Sequence, residues 1–205
     1  MLVGVDEAGR GPVVGPLVIC GVGAEKMDIK GVKDSKLLTP KRRKILAEQI
    51  RKNAHSFYYK VFPPEKIDQY TRRHELNLLE IEGFSEIIAE FDPSSQFFVD
   101  SCDVLPDRFK RNIKENVGDI DLVSEHRADS TYPIVSAASI LAKVKRDDLI
   151  REIEYDLGSG YPSDKKTVSF LRNWYKENNT FPDFVRRSWG TAKRIREEED
   201  QQRLL

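Results

Sequence analysis

Cysteine is nearly missing from this chain of 205 residues: only Cys20 and Cys102 occur, in no spacing that would hold a metal. A disulfide framework is therefore excluded as the organising principle, and two thiols in a reducing compartment are the simplest reading. A long hydrophobic run is also lacking. The most apolar stretch, Val13 to Val22, is about half the length that a membrane-spanning helix needs. The acidic pair Asp6-Glu7 precedes it, where an export signal would carry positive charge. Neither export nor anchoring is expected, and the cytoplasm is the expected compartment. Net charge of one sign is absent too, with 34 basic against 34 acidic residues, so the totals do not describe a globally basic nucleic-acid binder. There is no internal repeat and no low-complexity segment, and a chain of this length can bury the core of a complete enzyme.

Charge is present as clusters rather than as an excess. Between Lys30 and Lys52 there are nine Lys or Arg against two acids, and a second basic cluster runs from Arg186 to Arg196 ahead of the acidic run Glu197 to Asp200. Such surfaces suit a phosphate backbone. A charge run is, however, more often a solvated helix face, and charge alone leaves that reading ahead.

The pattern along the chain is mixed. Leu2 to Val5 reads as a strand, followed by a tight glycine-rich turn and a second strand from Pro16 to Val22. Thr39-Pro40 opens a basic helix to about Asn53. His55 to Phe62 alternates as a third strand, stopped by Pro63-Pro64. A helix from about His74 to Phe91, a short strand at Phe97 to Val99 that delivers Asp100, a helix near Asp107 to Glu115 and a strand at Ile120 to Ser124 follow. Pro133 begins the longest helical pattern, to about Leu157, with Ser136, Ser139, Lys143 and Asp147 on one polar face. Two helices, roughly Asp164 to Glu177 and Ser188 to Arg203, finish the chain. The fold class expected is α/β, with a sheet antiparallel at its start and parallel later.

The segment Gly4-Val5-Asp6-Glu7-Ala8-Gly9-Arg10-Gly11-Pro12 carries the most information. Two adjacent carboxylates repel each other, so a hard divalent cation is a natural resident between such groups. By itself an Asp-Glu pair on a solvated turn is common. The glycines allow backbone conformations that turn N–H groups into a concavity, and Arg10 adds a fork of donors suited to phosphate or ribose. A dinucleotide-binding loop is excluded because Pro12 and a strand follow, where that fingerprint must open into a helix, and no lysine-serine or lysine-threonine pair completes a P-loop.

Asp6-Glu7-Ala8-Gly9-Arg10-Gly11-Pro12 followed by Gly15-Pro16 resembles the opening signature of the type 2 ribonucleases H. Lys33-Asp34-Ser35-Lys36 resembles that family's next motif, and Phe98-Val99-Asp100-Ser101 the strand bringing in its third carboxylate. His126-Arg127-Ala128-Asp129 resembles the segment with the fourth. Ser136 to Val144 with Arg146-Asp147, and the loop Gly158-Ser159-Gly160-Tyr161-Pro162, follow in the family's order. The resemblance runs from residue 1 to about 190, and its order is more specific than any single motif.

What the resemblance implies is a ribonuclease H-like fold with a mixed central sheet flanked by helices, a catalytic domain over residues 1–160 and a small helical substrate-binding appendage over 161–205. It implies that Asp6, Glu7, Asp100 and Asp129 hold two Mg²⁺ or Mn²⁺ ions and are the catalytic residues of an endonuclease. That enzyme would cut the RNA strand of RNA:DNA hybrids and nick 5′ of single ribonucleotides in duplex DNA, leaving 5′-phosphate and 3′-hydroxyl ends, in ribonucleotide and RNA-primer removal. Gly9, Arg10 and Gly11 would sense a ribose 2′-hydroxyl, and Tyr161 would pack on the neighbouring sugar, although a loop tyrosine covering core is an even alternative. Lys36, Ser139 and Lys143 are candidate phosphate contacts beside their plainer reading as surface residues. Arg187-Ser188-Trp189 through Lys193-Arg194 would clamp the duplex, or Trp189 would dock the last helix. A monomer is expected, with a sliding clamp as a possible partner at the C-terminus. The related type 3 enzymes use extra N-terminal sequence for substrate binding, for which an acidic pair at residue 6 leaves no room. A non-catalytic duplex-binding module is disfavoured by four acids that would repel phosphate without metal. A phosphatase or junction-resolving nuclease of similar fold would not need the Gly9-Arg10-Gly11 turn or Tyr161.

Overall fold

The computed structural model describes residues 1–28 and 38–203, so Lys36 and its motif lie outside the described residues. A five-stranded sheet is built from β1 (Leu2–Ala8), β2 (Leu17–Ala24), β3 (Ser56–Phe62), β4 (Gln96–Asp100) and β5 (Asp121–Glu125), in the order β3-β2-β1-β4-β5. β1 is antiparallel to β2 and parallel to β4, and β4 is parallel to β5. The sheet is thus mixed in the sense expected. Its two innermost apolar strands show why: Val3 and Val5 of β1 and every residue of β2 are buried, which fits strands covered on both faces.

Contacts group the chain into two compact units that interleave in sequence. One comprises residues 1–8, 18–61 and 77–147; the other comprises 9–17, 62–76 and 148–205. In the first, the helices are α1 (Pro40–Asn53), α3 (Leu76–Ala89), α4 (Pro106–Val117), α5 (Ala128–Thr131) and most of α6 (Pro133–Arg151). Thr39 caps α1, its hydroxyl accepting from the Arg42 N–H, with Pro40 in the first turn. Phe84 of α3 meets Phe109 of α4 edge to face, ring centroids 5.1 Å apart.

The second unit holds α2 (Pro64–Arg72), α7 (Lys165–Asn178) and α8 (Gly190–Arg203). Its core joins Val13 and Val14 to Leu157, Leu171, Tyr175, Phe181, Val185, Ala192 and Ile195. Beside it Tyr155, Phe170, Trp174 and Phe184 form an aromatic cluster with centroid separations of 5.0–6.4 Å. That cluster accounts for α6 ending at Arg151 rather than near Leu157. Tyr155 is drawn into ring contacts that a continued helix would forgo, and Glu152, Glu154 and Asp156 sit unfavourably against the negative end of the helix dipole. No described helix is long and apolar enough to cross a membrane.

Candidate active site

Asp6 lies in the central strand of the sheet. The parallel ladder between β1 and β4 runs as far as Val5 beside Val99, which leaves Asp6 and Asp100 next in line on neighbouring strands. Asp129 arrives from the short helix after β5. Arg127 ahead of that helix adopts a left-handed conformation, φ 59°, and the Ala128 N–H donates to Asp100 Oδ1 at 3.0 Å. A carboxylate oxygen from each of Asp6, Asp100 and Asp129 then lies within 4.8 Å of the others. Asp6 and Asp129 are buried, at 4% and 2% exposure.

Helix α6 lies against this centre because β1 carries glycine at position 4. A methyl group there would stand 2.4 Å from the Ile134 carbonyl carbon and oxygen and 2.5 Å from the Val135 nitrogen. Gly4 and Asp6 share one face of β1 by strand alternation, and the face of α6 expected to be polar meets it. Ser136 and Ser139 are fully buried. The Ser139 hydroxyl hydrogen-bonds Asp6 and accepts from Lys143 Nζ at 2.7 Å, while Asp147 pairs with Arg43 of α1 at 3.1 Å. The contacts of Ser139 are therefore to the carboxylate and to Lys143.

Burial, joined by the charge of Asp100, raises the Asp6 carboxyl from its ordinary 3.8 to about 7; the Ser139 hydrogen bond, Lys143 and the Glu7 N–H oppose the rise. The Glu7 N–H donates to Asp6 Oδ1 at 2.7 Å. Three converging acids, one of them held partly protonated by its neighbours, fit a hard divalent cation that would replace the proton. The triad can bind metal. The Glu7 carboxylate is outside the set whose oxygens lie within 4.8 Å of one another.

The second unit contains the Gly9-Arg10-Gly11 turn and Tyr161. Gly9 has φ 98°, a conformation that favours glycine. Val13 and Val14 N–H groups donate to the Gly160 carbonyl at 2.9 and 3.2 Å, so the turn and the tyrosine loop are laced together. A methyl group on Gly11 would meet the Tyr161 ring at 3.9 Å, and Tyr161 is 43% exposed. The loop itself is fastened by Asp164, whose carboxylate accepts from the Ser159 N–H at 2.7 Å and the Lys166 N–H at 2.9 Å. The Ser159 N–H above all holds its pKa down to about 2. Buried Thr167 accepts from the Gly160 N–H at 3.0 Å and donates to the Leu157 carbonyl at 2.8 Å.

Sequence reasoning missed four residues of this framework: Gly4, Asp164, Thr167 and Arg186. Arg186 was grouped with a basic surface cluster, yet it has no exposed surface. Its guanidinium donates to the carbonyls of Gly9 at 2.6 Å, Arg10 at 3.0 Å and Gly15 at 2.9 Å. Trp189 is half-buried, and its indole N–H donates to the Gly11 carbonyl at 3.0 Å. His126 lies exposed, its Nε2 3.4 Å from the Val104 carbonyl oxygen.

A mixed five-stranded sheet in the order β3-β2-β1-β4-β5, flanked by helices and with Asp6, Asp100 and Asp129 gathered beside its central parallel strands, places the chain in the ribonuclease H-like class of folds. The family model described as ribonuclease HII matches residues 3–192. A ribonuclease HII of Methanosarcina barkeri is 44% identical, the match covering 97% of this chain and 96% of that protein. The crystal structure of the ribonuclease H2 from Pyrococcus horikoshii OT3 superposes with a TM-score of 0.89 at 42% identity, covering 98% of this chain and 99% of that one. The ribonuclease HII in a structure of the PCNA:RNase HII complex from Archaeoglobus fulgidus gives 0.88 at 40%, covering 96% and 97%. The chain belongs to the ribonuclease HII family and is an endoribonuclease, with the activity on RNA:DNA hybrids that defines the family.

Proposed function

We propose that this endonuclease also nicks duplex DNA on the 5′ side of a single embedded ribonucleotide, leaving a 5′-phosphate and a 3′-hydroxyl, and so serves ribonucleotide and RNA-primer removal in the cytoplasm. The convergence of Asp6, Asp100 and Asp129 within 4.8 Å carries the reading. Two Mg²⁺ or Mn²⁺ ions, when bound, supply activation of a water and stabilisation of the leaving oxygen. Glu7 is the proposed fourth ligand; it follows Asp6 directly in the chain, and one of its carboxylate oxygens is buried.

The residues of the chain do the rest. Ser139 and Lys143 hold the Asp6 carboxylate in place and lower its hold on a proton; Lys143, half-buried, and Lys36 are the proposed contacts to a backbone phosphate, and the buried Ser139 acts there through Lys143. The Gly9-Arg10-Gly11 turn offers main-chain donors to the ribose 2′-hydroxyl. Tyr161 stands beside Gly11, where its exposed ring suits the face of the next sugar and would crowd a hydroxyl there. The helical segment 161–205 is the proposed substrate-binding appendage, and a PCNA-like sliding clamp, seen with the Archaeoglobus fulgidus relative, is the proposed protein partner of a monomeric enzyme.

The test is cleavage of an end-labelled DNA duplex holding one ribonucleotide, with Mg²⁺ and with EDTA. A metal-dependent nick on the 5′ side of the ribonucleotide with a 3′-hydroxyl end is expected. Cutting of long hybrids without that nick would keep the metal site and remove the junction reading.

A further inference from the structure

We propose that Arg186 and Trp189 are the positioning pair of the ribose-sensing turn: they set the backbone of Gly9 to Gly11 so that its amides face the substrate. The proposal rests on the reading of that turn given above. Arg186 is buried completely, and burying a guanidinium is costly unless its donors are satisfied. Here they go to main-chain carbonyls of one turn, those of Gly9, Arg10 and Gly15. The guanidinium also lies 4.8 Å from the centre of the Trp189 ring, and the Trp189 N–H takes the carbonyl between, that of Gly11. Four carbonyls of a seven-residue stretch are thereby fixed by two side chains.

Peptide geometry turns that anchoring into a direction. Among the described residues no peptide bond is cis, and in a trans peptide the N–H of the following residue points opposite to the carbonyl. Holding the Gly9 and Arg10 carbonyls on Arg186 therefore aims the N–H groups of Arg10 and Gly11 away from the guanidinium. The other two anchored carbonyls precede Pro12 and Pro16, which have no N–H. The two anchors thus orient two consecutive amides, a donor pair matched to a hydroxyl oxygen. A lysine could reach one carbonyl but lacks the planar fork that holds three.

Binding is measured in the cleavage-dead Asp100→Asn background with Mg²⁺, comparing a duplex holding one ribonucleotide with the all-DNA duplex, for Arg186→Lys and for Trp189→Phe. Trp189→Phe keeps a ring and removes only the indole N–H. The expected result is that the ribonucleotide preference falls by about tenfold in Arg186→Lys and by less in Trp189→Phe, while affinity for the all-DNA duplex and the thermal shift on adding Mn²⁺ stay as in the parent. A merely structural role would lower both affinities together. An unchanged preference in either folded variant overturns the proposal, and if Arg186→Lys fails to fold, Trp189→Phe decides. A parent protein with no ribonucleotide preference removes the reading of the turn itself, which is a different outcome from a preference that the variants retain.

Discussion

Asp6 shows how much a single position is asked to do. Its pKa of about 7, set by burial and then by Asp100, lies above the 3.8 of an unfolded aspartate, so between these values the native state binds the extra proton. Stability from this group is full below about pH 4 and is lost as pH rises through 7. Asp6→Asn fixes the neutral form. In metal-free protein it should therefore stabilise by ~2–4 kcal/mol at pH 8, by about half as much at pH 5 and hardly at all below about pH 4, as read by urea denaturation, while abolishing cleavage at every pH. Equal stability of the two proteins at pH 8 would mean that neither burial nor Asp100 penalises the charged Asp6 as described.

Gly11 gives a second test at the same scale. A methyl group there meets only the Tyr161 ring, at an ordinary 3.9 Å, so Gly11→Ala should fold with the parent's thermal midpoint and yet cut poorly at a single ribonucleotide, because the methyl group would stand where the ribose approaches. Normal junction cleavage by Gly11→Ala would take the turn out of substrate recognition. The convergence of Asp6, Asp100 and Asp129 was legible because they fall in an ordered run of motifs. Arg186 was not, since a buried arginine and a surface one look alike in a basic stretch. Ser139 read as outward-facing because a polar helix face normally meets solvent, whereas here it meets Asp6.

At the level of elements, the sheet and most helices were readable from alternation and from proline and threonine at helix starts. The misses have local causes. Pro63-Pro64 does stop β3, which ends at Phe62, but the helix α2 that Pro64 opens was overlooked. The four-residue α5 is too short to show a period, though it carries Asp129. The contact of α6 with β1 depends on Gly4, whose added Cβ would strike helix backbone at 2.4 Å rather than a movable side chain. Gly4→Ala should cost ~1–3 kcal/mol or more. It should also lower activity beyond the loss of folded protein, because pushing α6 outward draws Ser139 from Asp6. Calorimetry with activity corrected for the folded fraction separates the two effects, and parent-like values for both would refute this account of how the helix is seated.

For the whole molecule, metal and proton compete for one place. Asp6, Asp100 and Asp129 all belong to the unit that contains the sheet, so added Mn²⁺ should slow hydrogen exchange chiefly in β1, β4 and α5, with the loops and helices of the other unit changing less. With the Asp6 carboxyl titrating at about 7, a proton must leave before the ion is fully held. Apparent affinity should then be roughly tenfold weaker at pH 6 than at pH 8, which appears as about 1.4 kcal/mol less metal-induced stabilisation at the lower pH. Thermal melts with a fixed Mn²⁺ concentration, set against EDTA at each pH, measure the increment directly. Asp6→Asn cannot release that proton and should show a small increment without the slope. If the parent's increment is flat from pH 6 to 8, the ion does not displace a proton from Asp6, and the raised pKa has no part in metal binding.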